Sequence, residues 1–91
     1  MDQTLINRIV EAALLASSQP LSVAQLRGLF TLDEPAPEGS IQKALEALQA
    51  DCADRGVELV EVASGWRYQV KGDVHPWVAR LWTERQTRYT R

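Results

Sequence analysis

Two pairs of carboxylates are the residues in this sequence that could carry out acid–base chemistry. Asp33 lies beside Glu34, and Asp51 precedes Asp54 by three residues. General acid–base catalysis requires such groups within reach of a reacting atom, in a site that neighbouring elements complete. Neither pair has a glycine-rich or histidine-bearing element nearby, and both fall in or beside a predicted loop or helix end. We therefore expect no enzymatic activity.

Metal ligands and redox residues are equally scarce. The sequence has 1 histidine, His75, and 1 cysteine, Cys52, so one chain cannot assemble a cysteine-based zinc site or a pair of histidine ligands. His75 precedes Pro76 and is interpreted as a helix-start residue. Cys52 is interpreted as a small core residue of an intracellular protein. Because the 5 glycines form no phosphate-binding loop, we expect no metal, no cofactor and no small-molecule substrate.

The spacing of apolar residues predicts three helices in the first part of the chain. The first runs from Thr4 to Ala16. Ser22 and Gln25 have the capping-box spacing, which predicts the start of a second helix. The segment from Thr31 to Gly39 is predicted to be a loop because it is rich in proline and polar residues. Ser40 is the predicted N-cap of the third helix.

The later part of the chain predicts a β-hairpin and a fourth helix. Residues 57–63 are rich in β-branched side chains, and residues 66–71 alternate between apolar and polar. Ser64 and Gly65 are the predicted turn, since glycine accepts a positive φ. Apolar residues occur on both faces of the first strand, so it is either covered on both sides or interrupted by a bulge. A short helix with Pro76 in its first turn follows.

This order of elements predicts an α+β fold of the winged helix-turn-helix type, with three helices, a two-stranded β-wing and a C-terminal helix. The chain has 91 residues, of which 45% are apolar, so we expect one domain, residues 1–82, with a modest core. No basic region precedes an apolar run at the N-terminus, and Glu11 interrupts the apolar stretch well before the ~20 residues of a membrane span. We expect a cytoplasmic protein that does not contact membranes.

Charge is divided unevenly along the chain, which bears on nucleic-acid binding. Residues 1–66 carry four basic and ten acidic side chains, whereas residues 67–91 carry six basic and two acidic. The third helix of a DNA-binding winged helix enters the major groove, but the polar positions of this one hold more acid than base and would repel phosphates. The residues that could touch phosphates are Arg67, Lys71, Arg80 and Arg88. A DNA-binding module, or a fragment of a transcriptional regulator, is therefore the alternative function.

An excess of apolar residues favours contacts with protein. The first helix is apolar on more than one side between Ala12 and Ala16, which is wider than a small core requires. Trp66 and Trp77 are interpreted as core and wing-base residues, whereas Trp82, beside the polar tail, suits a surface that a partner covers. The predicted interface residues are Ile6, Val10 and Leu14, as a second stripe of the first helix, and Trp82 with Arg85 at the end of the last helix.

Two segments of the chain resemble the family of segregation and condensation protein B, ScpB. Residues 9–22, IVEAALLASSQPLS, are similar to the "EALLFAS-x-x-PL" run that opens members of this family. Residues 56–68, GVELVEVASGWRY, resemble the family's "G-[IV]-E-L-V-E-V-A-x-G-[YF]-R" wing, with Trp66 where a tyrosine or phenylalanine is usual. The resemblance covers nearly the whole chain.

The resemblance implies a non-catalytic subunit of the bacterial structural-maintenance-of-chromosomes (SMC) complex. Family members dimerise and bind the kleisin subunit ScpA, and through it SMC, in chromosome condensation and segregation. They contain two winged-helix lobes, and residues 83–91 resemble the basic linker before the second. The resemblance therefore implies that this chain is an N-terminal lobe, cytoplasmic and nucleoid-associated, which forms a homodimer and contacts DNA only indirectly or weakly.

Overall fold

The chain folds into three helices, a two-stranded antiparallel hairpin and a fourth helix, in the predicted order. The structure is a computed structural model that describes the backbone of residues 1–89 and the side chains of residues 1–82. Its elements are α1 (Gln3–Ala16), α2 (Val23–Arg27), α3 (Ser40–Asp51), β1 (Val57–Val62), β2 (Gly65–Val70) and α4 (His75–Tyr89). Three helices followed by a hairpin form the winged-helix arrangement.

Side-chain caps define where the first two helices begin. The carboxylate of Asp2 accepts a hydrogen bond from the backbone N–H of Thr4 at 3.4 Å and caps α1. The predicted capping box of α2 is present: the N–H of Gln25 donates to Ser22 Oγ at 3.1 Å, and the N–H of Ser22 donates to Gln25 Oε1 at 2.9 Å. Two donors that the helix itself leaves unpaired are thereby satisfied.

The start of α3 differs from the prediction by one residue. Gly39 is the N-cap, with a φ of 79°, and Ser40 is the first residue of the helix. The hydroxyl of Ser40 does not cap α3, because it donates to the carbonyl oxygen of Pro37 at 2.6 Å. The predicted Ser40 cap is therefore wrong. A glycine serves here because the chain enters the helix through a left-handed backbone conformation.

The hydrophobic core lies between α1 and α3, and α2 and the hairpin close it. Gln3 Nε2 also joins the two long helices by donating to the carbonyl oxygen of Ser40 at 3.0 Å. The burial of Trp66, which is 8% exposed, and of Cys52, which is 2% exposed, confirms the prediction of core positions for both. The buried cluster consists of Ile6, Val10, Leu14, Leu26, Ile41, Ala44, Leu45, Leu48, Leu59 and Trp66.

The hairpin is regular, and its turn lies one residue earlier than predicted. Val62 pairs with Gly65, so Ala63 and Ser64 form the turn, and the predicted Ser64–Gly65 turn is wrong. The register continues without a bulge to the pair of Val57 with Val70. The inner face packs Leu59, Trp66 and Tyr68 on the helices, while Val60 and Val62 are half-buried on the outer face. Partial cover on both faces, rather than a bulge, thus explains the apolar pattern of β1.

A backbone bridge ties the hairpin to the connection between α1 and α2. The N–H of Trp66 donates to the carbonyl oxygen of Leu21 at 2.7 Å, and the N–H of Leu21 donates back to Trp66 at 3.0 Å. Gly65 has a φ of +145° and lies so close that a Cβ atom would come within 2.4 Å of the carbonyl carbon of Leu21. A glycine is required here for both reasons.

Replacing Gly65 should therefore weaken the whole domain. We expect Gly65→Ala to lower the free energy of unfolding by about 2–3 kcal/mol, since the added methyl group must displace backbone atoms and the φ is strained. The matched control is Gly72→Ala, because a Cβ atom at Gly72 would have no heavy atom within 4 Å. Denaturant unfolding of both variants measures the difference, and equal stabilities would contradict the proposed role of the bridge.

Tyr68 carries a buried hydroxyl that has no hydrogen-bond partner within the described residues. Its ring packs against the core from the inner face of β2. Burial, and next the carboxylate of Glu11, raise the pKa of Tyr68 from 10.0 to about 12. Burying a hydroxyl without a partner is unfavourable, so the ring rather than the oxygen stabilises the fold at this position.

We expect Tyr68→Phe to raise the free energy of unfolding by about 1 kcal/mol, since it removes an unpaired buried hydroxyl and keeps the ring.

The raised pKa of Tyr68 also makes the stability of the parent chain sensitive to alkali. Above pH 10.0 the unfolded tyrosine loses its proton while the folded one holds it until about pH 12, so stability present below pH 10.0 is lost as the pH rises through about 12. Unfolding curves below and above pH 10.0 should show a larger alkaline loss for the parent. A lower stability for Tyr68→Phe would contradict this account.

Candidate protein interfaces

The residues that could do chemistry are dispersed over the surface. The side chains of Asp33, Glu34, Asp51, Asp54 and His75 are all exposed. Among the described residues, no three His, Cys, Asp or Glu side chains are grouped so that they could hold a metal ion. No helix in the described part of the chain combines the length and apolar character needed to cross a bilayer. The features that remain are surfaces suited to contact with protein.

The structure corrects the predicted interface stripe of α1. Ile6 and Val10 are 0% exposed and Leu14 is 5% exposed, so these three residues form the core stripe of the helix. Positions four residues apart share one face of a helix, and this face lies on α3 and the hairpin. They are therefore not available to a partner while the domain is folded.

A second apolar face of α1 does exist, on the side opposite the core. Leu5 is 41% exposed and Leu15 is 65% exposed, and Ala12 and Ala16 are exposed between and beside them. At 100° per residue these four positions fall on one side of the helix, together with Arg8, which is also exposed. The apolar excess between Ala12 and Ala16 was the sequence signal for this face, but periodicity alone did not identify which stripe faces outward.

Two exposed tryptophans and an exposed leucine lie close together on α4. Trp77 is 63% exposed, Leu81 is 56% exposed and Trp82 is 55% exposed. Within the described residues α4 does not pack extensively on any other element. The prediction that Trp77 belongs to the core is therefore wrong: its helix projects from the domain, whose longest extent is 55 Å against 26 and 24 Å in the other directions. Trp82 is thus accessible on the described domain, and its role in an interface stays a prediction.

The backbone of α4 continues to Tyr89, beyond the apolar pattern that ends at Trp82. The first part of the predicted linker, residues 83–91, is thus helical as far as Tyr89, whereas the pattern predicted only a short helix. The side chains of Arg85 and Arg88 lie outside the described residues. Their predicted roles in an interface and in phosphate contact stay predictions.

A shallow cleft separates the tip of the hairpin from the first turn of α2. It has a volume of about 380 Å³, and Val23, Val62 and Trp66 are among the residues that line it. The cleft exists because the Leu21–Trp66 bridge holds the hairpin against the start of α2. Concave, mostly apolar sites of this size accept a side chain or a short segment of a partner. The sequence contains no local signal for it, since the two walls are about forty residues apart.

The basic residues proposed for phosphate contact have different environments. Lys71 Nζ donates to the carbonyl oxygens of Cys52 at 2.6 Å and Ala53 at 3.0 Å, where α3 ends. Its ammonium group is thus engaged in capping a helix, at the end where a cation is favoured. Arg67 is exposed on the outer face of the hairpin, with one bond to Gln69 Oε1 at 3.4 Å, and Arg80 is exposed on α4. The three basic residues therefore do not all lie on one element and do not form one basic patch on a single helix or strand.

Comparison with known proteins shows which family the chain resembles. The family model described as "Segregation and condensation complex subunit ScpB" matches residues 8–91. A segregation and condensation protein B homolog of Coxiella burnetii is 43% identical over 83 residues, which are 91% of this chain and 40% of that protein. Segregation and condensation protein B of Syntrophotalea carbinolica is 34% identical over 100% of this chain and 45% of its own length. The chain thus spans less than half of each of these curated relatives.

Solved structures agree with the fold. ScpB from Mycobacterium tuberculosis superposes with a TM-score of 0.77 at 22% identity, over 92% of this chain and 51% of that one. A structure described as a dimer of the ScpB N-terminal domain complexed with ScpA peptide superposes with a TM-score of 0.71 at 30% identity. It is matched over 86% of this chain and 95% of the solved chain. These structures confirm the predicted winged-helix fold.

The cap that Lys71 provides can be tested by substitution. We expect Lys71→Ala to lower the free energy of unfolding by about 1 kcal/mol, because it leaves two carbonyl oxygens at the end of α3 without their charged donor. Arg67→Ala is the matched control, since it removes a similar charge from the same strand region without a capping bond, and we expect a change within about 0.5 kcal/mol. Thermal unfolding of both variants compares them, and equal effects would mean that the cap contributes nothing.

Proposed function

Because the chain belongs to the ScpB family of segregation and condensation complex subunits, we propose that it is a lobe that forms a homodimer and binds the kleisin ScpA. The observation that carries this proposal is the presence of two separate apolar surfaces on one small domain. One is the outer face of α1, with Leu5 and Leu15, and the other is the face of α4, with Trp77, Leu81 and Trp82. A protein with two different protein partners needs two such surfaces.

Exposed apolar surface of this extent is unusual for a monomer of this size. The exposed large apolar side chains include two tryptophans, the residue type most enriched at binding hot spots. These side chains contribute little to the core, so contact with another protein explains their presence on the surface better than packing does. In the same way, the acidic surface of α3, which includes Glu46 and Asp51, favours a protein partner over the phosphate backbone.

The solved relative of similar extent supports both parts of the proposal. It is described as a dimer of the ScpB N-terminal domain complexed with ScpA peptide, and this chain covers 95% of it at 30% identity. In that structure the N-terminal domain is a dimer with ScpA peptide bound. We transfer both properties to this chain as part of the proposal.

We further propose that residues 1–82 form one winged-helix lobe and that residues 83–91 connect it to a second. The chain covers 40% and 45% of two curated relatives, which leaves room for another lobe of similar size in those proteins. The activities of the full-length subunit, including its link through ScpA to SMC, belong to this proposal. So do its non-catalytic character and its location on the nucleoid in the cytoplasm.

DNA contact is the second candidate function, and the exposed Arg67 and Arg80 favour it. Phosphate binding releases counterions, so the affinity should fall steeply between about 50 and 200 mM salt. Titration of a duplex at both salt concentrations distinguishes the two functions. We expect little or no binding even at low salt, because Lys71 is engaged with α3 and the acidic third helix repels phosphates. Tight, salt-dependent binding would favour the DNA-binding alternative.

The main proposal predicts that the chain forms a dimer and that its binding to ScpA can be detected by calorimetry. Sedimentation velocity of the chain alone should give a concentration-dependent dimer. Calorimetric titration with purified cognate ScpA should give saturable binding with a negative heat-capacity change, the signature of apolar burial. A chain that stays monomeric at the highest attainable concentration would contradict dimerisation, and an absence of heat over a range of temperatures would contradict ScpA binding.

A further inference from the structure

We propose that the apolar face of α4, formed by Trp77, Leu81 and Trp82, packs against the same face of a second copy of the chain. This inference rests on the proposed function and assigns its homodimer contact to one helix. It leaves the outer face of α1 and the cleft beside the hairpin to other partners.

The three side chains form one continuous patch. At 100° per residue, Trp77, Leu81 and Trp82 lie within an arc of about 140°, together with Val78. Arg80, the one charged residue between His75 and Trp82, lies outside this arc. The three large side chains are each more than half exposed, at 63%, 56% and 55%. Between Trp77 and Trp82 the patch is thus apolar throughout.

The helix itself requires an external contact. α4 is 15 residues long, and isolated helices of about 12–15 residues are marginal in water without tertiary packing. Its own domain supplies little packing, because α4 has no extensive contact with another element among the described residues and Val78 is the one half-buried residue of its stripe there. A partner that covers Trp77, Leu81 and Trp82 would supply the missing contacts.

The size of the patch agrees with a symmetric dimer. A fully buried aromatic side chain contributes about 150–250 Å², so the exposed parts of these three side chains provide roughly 400 Å² of apolar surface on each copy. Two copies provide roughly 800 Å², and interfaces are about 60% apolar. The implied total of roughly 1,300 Å² lies within the range of about 1,200–2,000 Å² for specific interfaces.

The shape of the patch favours a second copy over a segment of ScpA. The patch lies on the convex surface of a projecting helix, which pairs readily with another helix by ridges-into-grooves packing. An extended segment is held best in a concave site, and the chain offers one elsewhere, between the hairpin and α2. A two-fold axis across α4 would also match each patch with its own copy, as isologous dimers require.

A charge placed in this patch should separate the copies without unfolding the domain. We expect the double variant Leu81→Glu/Trp82→Glu to sediment as a monomer at concentrations where the parent is a dimer, with at least a hundredfold weaker self-association. The matched control is Leu15→Glu, which places the same charge on the outer face of α1, where the leucine is 65% exposed. We expect this control to remain a dimer. Denaturant unfolding of the double variant should stay cooperative, with a midpoint close to that of Leu15→Glu, which reports an intact core.

The parent chain provides a second measurement that needs no substitution. Trp66 is buried in the monomer, while Trp77 and Trp82 are exposed, so dilution through the dimer–monomer equilibrium should shift tryptophan emission to longer wavelength. Acrylamide quenching should increase in parallel. A dimer that dissociates on dilution with no change in emission or quenching would overturn the assignment to α4.

The remaining outcomes separate this inference from the function on which it rests. If Leu15→Glu is monomeric and the double variant is a dimer, the inference is wrong but dimerisation stands. If the double variant stays dimeric and loses calorimetric binding of ScpA, the patch is a kleisin site and the inference is wrong. If the parent is monomeric at every concentration, both the inference and the proposed dimerisation fail.

Discussion

The backbone of the hairpin touches the backbone of the α1–α2 connection at Gly65, and much of the fold depends on this contact. A two-stranded hairpin is marginally stable in water by itself. Here the paired hydrogen bonds between Leu21 and Trp66, of 2.7 and 3.0 Å, extend the hairpin by one bridge and hold it on the helices. The side chain of Trp66 is thereby held at the edge of the core, where it is 8% exposed. Without a glycine at position 65 the two backbones could not approach so closely.

Side chains hold the rest of the hairpin at two further points. Gln49 Nε2 donates to the carbonyl oxygen of Leu59 at 3.1 Å, which joins α3 to the middle of β1. Lys71 then joins the end of β2 to the end of α3 through its bonds to Cys52 and Ala53. The hairpin is thus fixed at its tip, middle and base. α4 begins four residues after Lys71, and its three largest apolar side chains, Trp77, Leu81 and Trp82, are each more than half exposed.

The sequence predicted the elements better than it predicted their environments. Periodicity and the Ser22–Gln25 capping box are local signals, and they identified the helices correctly. The reason for Gly65 was missed because the atoms it accommodates belong to Leu21, more than forty residues earlier, whereas a glycine after Ser64 fits a local turn equally well. Trp77 was assigned to the core because a domain of 91 residues is expected to use its tryptophans for packing. Periodicity shows that one face of a helix is apolar, but it does not show whether that face meets the same domain or another molecule.

The same distinction applies to α1, and it explains why the exposed apolar face of this helix is not the stripe that the sequence predicted as an interface. The helix has two apolar stripes on opposite sides, and a single domain can bury only one of them against α3. Ile6, Val10 and Leu14 occupy the buried stripe because their branched and long side chains fill the space above α3, while the outer stripe alternates Leu5 and Leu15 with alanines. Small residues between larger ones leave a shallow, nearly flat surface, whereas the tryptophans of α4 protrude. Two surfaces of such different relief suit different partners, which is why we propose one of them for a second copy and leave the other to another protein.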